Sequence, residues 1–139
     1  LTPRAVGAVR VGGQSIDHPT GGAEGFADFL QDEVFPFIEA EYRIRADDRA
    51  LYGHSYGGLF GCWALLREVE TIDLDPIPTT LYLASGRLEG RIDDLQEAFA
   101  AVLARRAPRS LEMKSEVLED ETHRTIFGRG FTNGLRFLY

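Results

Sequence analysis

The chain has 139 residues, enough for one domain with a core of its own, and its 44% hydrophobic and 27% charged composition is ordinary for a globular protein. Fifteen Lys and Arg against 22 Asp and Glu leave a net charge of −7, which repels phosphate backbones and anionic lipid, so neither nucleic acid nor a membrane surface is an expected partner. No stretch approaches the ~20 apolar residues of a membrane span, and Cys62, the single cysteine, excludes an intrachain disulfide and a thiolate metal cluster while leaving the compartment open.

Residues 1–22 are rich in Gly, Pro and Thr and are expected to form a loop leading into the first helix, with room for at most one brief strand around Val6, Val9 and Val11. From Ala23 the apolar residues Phe26, Phe29, Leu30, Val34, Phe37 and Ile38 recur at steps of three and four, which puts them on one face of a helix running to about Tyr42. Pro36 lies inside that pattern and should kink it, because its ring removes one backbone bond and crowds the preceding turn. Arg49-Ala50-Leu51-Tyr52 reads as the end of a short strand, and Gly58 to Leu66 as a buried helix in which Cys62 is a packing residue.

Further along, residues 79–84 read as a buried strand ended by Ser85-Gly86. Ile92, Leu95, Phe99, Val102 and Leu103 mark an amphipathic helix stopped near Pro108. Leu111, Met113, Ser115 and Val117 alternate with Glu112, Lys114 and Glu116, the pattern of a half-exposed strand at a sheet edge. Phe127, Phe131, Leu135 and Leu138 space a final helix that packs back on the sheet.

Between the short strand and the buried helix stands Gly53-His54-Ser55-Tyr56-Gly57, a G-x-S-x-G sequence in strand-turn-helix context. Such a turn holds its serine in a strained conformation, and glycines on either side give room that a Cβ would fill. Ser55 is therefore the candidate nucleophile. A serine hydroxyl needs a histidine to take its proton and an acid to orient that histidine. Of the three histidines, His54 lies inside the turn and His18 precedes the first helix. His123 follows the last strand, and the order serine, acid, histidine is that of the α/β-hydrolase fold. The bland reading leaves His123 solvated among Glu119, Asp120, Glu121 and Arg124, with the three acids a solvated loop. For the acid, Glu89 follows the strand that ends at Ser85-Gly86; it reads equally as a helix-start residue, whereas Asp93 and Asp94 read as first-turn helix carboxylates. The backbone N–H of Tyr56 is the expected oxyanion donor. A second donor has no clear source, and Gly12-Gly13 and Gly21-Gly22 are candidates only through their flexibility.

Several separated segments resemble one family, the esterases of the esterase D type, which include siderophore esterases of the enterobactin kind. Asp28 to Arg43 looks like that family's helix before the nucleophile, Ala50 to Phe60 like its nucleophile turn, and Leu81 to Glu89 like its acid strand. Thr122-His123-Arg124-Thr125 and Gly134 to Leu138 resemble its histidine loop and closing helix. The resemblance implies a three-layer α/β-hydrolase-type fold with a mostly parallel sheet, represented by its C-terminal half, in a single domain over residues 1–139. It implies a serine ester hydrolase working through an acyl-enzyme on a small-molecule ester, siderophore-type esters included. No cofactor and no metal are expected. The family has a further strand between the helix after the nucleophile and the acid strand, so a segment left out between about Arg67 and Thr79 is also expected. An acyltransferase with the same triad, and a noncatalytic binding remnant, stay as alternatives.

Overall fold

The computed structural model describes residues 2–3, 10–11, 14–15, 21–45, 47–71, 79–106 and 110–139. The expectations for Val6, Val9, Gly12-Gly13, His18, Pro108 and the link over 72–78 fall outside the described residues. The chain divides into two compact units, Leu1–Ala64 and Leu65–Tyr139.

In the first unit, where at most one brief strand is expected, β1 (Arg10–Val11) pairs antiparallel with β2 (Gln14–Ser15). The carbonyl of Thr2 accepts hydrogen bonds from the N–H groups of Gly21 at 3.0 Å and Ala23 at 3.1 Å, which sets the start of α1 (Ala23–Phe29). The helical tract then continues through a π-helical turn, Leu30–Val34, into α2 (Phe35–Glu41). Pro36 explains the widening. Its ring would crowd the carbonyl one α-turn back, and the preceding turn opens so that the Phe35 N–H donates to the Leu30 carbonyl instead. The expected single kinked helix is thus a helix with a wide turn. An extra residue in a turn rotates later positions by about 100°, and the half-buried stripe runs Phe26, Leu30, Val34, Ile38 at steps of four, leaving Phe29 and Phe37 exposed.

No strand forms over 49–54: its hydrogen-bonding partner is missing among the described residues, whose only ladders are β1–β2 and the pair described next. Helix α3 (Tyr56–Thr71) begins at the residue after Ser55 and is longer than its apolar run suggests. Phe60 is buried, edge-on to Phe26 at 5.0 Å and tilted against Trp63 at 5.8 Å, and with the buried Ala23 it forms the core of this unit.

The second unit is a strand-helix-strand arrangement with a closing helix. Strand β3 (Thr79–Gly86) is followed by a 3₁₀ turn (Arg87–Glu89), α4 (Ile92–Arg106), β4 (Leu111–Leu118) and α5 (Ile126–Leu138). The strands are parallel and in register from Thr79↔Leu111 to Gly86↔Leu118, a pairing that needs a long crossover, here supplied by α4. Side chains alternate between the sheet's faces. Gln96 on α4 donates to Ser115 Oγ at 2.9 Å on one face. Tyr82 and Ala84 point to the other, where they meet Gly134 and Gly130 of α5. Helix, sheet and helix therefore form three layers, as expected, with Asp93 and Asp94 in the first turn of α4.

Candidate active site

Ser55 ends the segment 49–55 and precedes α3, and its backbone φ is 59°, in the left-handed region that costs a residue with a Cβ about 1 kcal/mol or more. The turn is closed by two hydrogen bonds, Gly57 N–H to the His54 carbonyl at 2.9 Å and Leu59 N–H to the Ser55 carbonyl at 3.0 Å. Gly53 makes this closure possible. A Cβ there would lie 2.3 Å from the carbonyl carbon and oxygen of Gly57, and the Gly53 carbonyl itself crowds Gly58. Arg49 anchors the approach to the turn, pairing with Glu39 and lying over the Phe35 ring at 4.6 Å. Tyr56 is the first residue of α3, where a helix leaves its backbone N–H without an intrahelical acceptor. By contrast, the Gly21 N–H is committed to the Thr2 carbonyl, which removes it from the candidate oxyanion donors.

In the second unit the structure brings Glu89 and His123 together. His123 Nδ1 lies 2.7 Å from Glu89 Oε2, and the Glu89 side chain is 6% exposed against 54% for the histidine. The other carboxylate oxygen, Oε1, accepts the Gly86 N–H at 2.7 Å. One oxygen thus caps the 3₁₀ turn while the other meets the imidazole. When Nδ1 carries the proton and donates it to the carboxylate, Nε2 carries the basic lone pair.

The histidine loop is built to hold this arrangement. Thr122 and Thr125 bracket His123 and exchange hydrogen bonds, Thr122 N–H to Thr125 Oγ1 at 2.9 Å and Thr125 N–H to Thr122 Oγ1 at 3.3 Å. The Leu88 N–H donates to the Glu121 carbonyl at 3.0 Å. That carbonyl approaches Gly86 so closely that a Cβ on Gly86 would sit 2.3 Å from it. Of the acids expected to form a solvated loop, Glu119 is 65% exposed while it accepts from Arg87 Nε at 3.2 Å, and Asp120 is exposed, whereas the Glu121 carboxylate, 14% exposed, lies 3.5 Å from Arg129. Sequence reasoning missed Gly86 as a contact surface and Arg129 altogether. Among the described residues no group of three or more His, Cys, Asp or Glu could hold a metal ion, and no helix is long and apolar enough to cross a membrane. Burial pushes the Cys62 thiol pKa up, the direction that suits a packing residue.

The architecture is that of the α/β-hydrolases. It matches an IroE-like serine hydrolase from Shewanella oneidensis over 99% of this chain and 55% of that one, with a TM-score of 0.80 and 25% identity. It also matches the siderophore hydrolase EstA from Aspergillus nidulans over 99% of this chain and 63% of that one, with a TM-score of 0.79 and 23% identity. Residues 9–71 match the model of the putative esterase family. The ferri-bacillibactin esterase BesA of Bacillus subtilis is 46% identical over 50 residues, 36% of this chain and 17% of that relative. The chain therefore matches less than a fifth of the curated relative's length and 55% to 63% of the two solved chains.

Proposed function

We propose that this protein hydrolyses carboxylic esters through a serine acyl-enzyme, with Ser55 as nucleophile, His123 as general base and acid, Glu89 as the group that orients His123, and the Tyr56 N–H as an oxyanion donor. The observation that carries the reading is the left-handed Ser55 in a turn that Gly53 alone allows to close, since backbone strain of this kind collects where chemistry needs it. The Glu89–His123 contact supplies the second half of the chemistry.

Ser55 Oγ bonds to the ester carbonyl carbon as its proton passes to His123 Nε2, and the carbonyl oxygen becomes an oxyanion. Glu89 stabilises the imidazolium that forms, and the Tyr56 N–H stabilises the oxyanion. Collapse breaks the bond to the alcohol, which leaves with the proton from His123. Water then attacks the acyl-enzyme while His123 takes its proton, and a second collapse returns that proton to Ser55 and frees the carboxylic acid. The names of the similar proteins, a ferri-bacillibactin esterase and a siderophore hydrolase among them, favour siderophore-type esters as substrates.

Labelling of the full-length protein with a fluorophosphonate tests this. Wild type takes the label and Ser55→Ala does not; a label retained by Ser55→Ala refutes the assignment.

A further inference from the structure

Asp120 has a φ of 62°, the other left-handed non-glycine residue among those described, and it lies three positions before His123. A single guanidinium grips both sides of it. Arg129 Nη1, from α5, donates to the Glu119 carbonyl at 3.2 Å and lies 3.5 Å from Glu121 Oε1. The same Glu121 carbonyl that sits against Gly86 accepts the Leu88 N–H, one residue before Glu89. The strained turn is thus fastened to α5 on one side and to the acid turn on the other. Left-handed backbone costs a residue with a Cβ, though Asp less than most, so this fastening opposes any relaxation of the turn that leads into the histidine loop.

We infer that Arg129 is a positioning residue: by holding the Asp120 turn in its left-handed form it sets the place of His123 on Glu89. Arg129 touches neither substrate nor reacting atoms. Its half-exposed ion pair contributes little to stability by itself, so its effect belongs in the rate. A shift of about 1 Å in a proton-transferring group is enough to cost on the order of a hundredfold in rate.

The test is steady-state hydrolysis of an aryl ester by the full-length protein, and it rests on the serine-hydrolase reading. Arg129→Met is expected to lower kcat on the order of ten- to a hundredfold with KM unchanged. Arg129→Lys recovers only part of the rate, because it keeps the charge but its shorter side chain ends short of the Nη1 that makes both contacts; it carries the comparison if Arg129→Met does not fold. Asp120→Gly, which removes the strain, restores part of the rate in the Arg129→Met background. In a Glu89→Gln background Arg129→Met costs little more, since the pair it aligns is already lost. Full additivity with Glu89→Gln, or a folded Arg129→Met with kcat within about twofold of wild type, overturns the inference. Fluorophosphonate labelling separates the failures: label persisting in Ser55→Ala sinks the assignment of Ser55 as nucleophile, whereas Ser55-dependent label with an undiminished Arg129→Met kcat sinks only the role of Arg129.

Discussion

Glu89 divides its two oxygens between the Gly86 N–H and His123 Nδ1, each at 2.7 Å, so the acid is fixed by its own turn before it meets its histidine. Glu89→Gln keeps the shape and removes the charge. It is expected to lower kcat on the order of a hundredfold or more with little change in folding, since the amide no longer stabilises the imidazolium. Steady-state kinetics on the purified full-length variant decide it, and an undiminished kcat would free Glu89 of its assigned role.

The left-handed backbone at Ser55 separates two substitutions that are otherwise equally inert. Ser55→Gly is expected to be more stable than Ser55→Ala by about 1 kcal/mol, because only the alanine keeps the Cβ clash of that conformation. Denaturant titration of the pair gives the number. Equal stability would mean that the turn relaxes when the hydroxyl is removed.

Cys62 offers a negative control. With its thiol pKa raised by burial, it stays protonated at neutral pH and should react slowly with iodoacetamide. Cys62→Ser is expected to leave ester hydrolysis largely intact, and a folded variant without activity would move suspicion to the thiol.

Ser85 is 1% exposed and its Oγ has no hydrogen-bond partner among the described residues. A buried hydroxyl in that state costs stability that alanine does not, so Ser85→Ala is expected to gain about 1 kcal/mol in denaturant unfolding. A clear loss would show that the hydroxyl makes a hydrogen bond in solution.

Tyr82 sets an alkaline limit. Burial, and then its 2.5 Å hydrogen bond to Glu116, push its pKa up to about 12. A raised pKa means the folded state keeps the proton longer than the unfolded chain does. The contribution is complete below the ordinary tyrosine value of about 10 and is lost as pH rises from there to about 12. Glu116, held low by the Tyr82 hydroxyl and then by Lys114, acts oppositely, contributing above the ordinary glutamate value and losing that contribution as pH falls below it. In alkaline unfolding followed by circular dichroism, Tyr82→Phe is expected to lose stability at neutral pH and to show a flatter decline above pH ~10; an unchanged profile contradicts the assignment.

Much of the second unit was legible because its periods are clean. Alternation from Leu111 to Val117 gives a strand and the spacing of Ile92 to Leu103 gives a helix; in the first unit, G-x-S-x-G in its context gives the turn at Ser55. The rest depends on contacts that leave no period. Pro36 signals a disturbance, yet only the Phe35-to-Leu30 hydrogen bond says that the disturbance is a widened turn. Residues 49–52 have strand composition, but a strand exists only beside a hydrogen-bonded neighbour, and none is present among the described residues. Arg129 resembles any surface arginine until the loop carries the Glu119 carbonyl to it across ten residues.

The level ending of the two parallel strands, Gly86 opposite Leu118, makes the sheet the ruler of the Glu89–His123 contact. Glu89 stands three residues past one strand and His123 five past the other, and no long loop is available to absorb an error. Sliding one strand by a single residue displaces its end by about 3.3 Å, more than the whole distance between Nδ1 and Oε2. Insertions or deletions inside either strand are therefore expected to act on turnover as severely as changes at the turns themselves, whereas added length at the far ends of the strands leaves the ruler untouched.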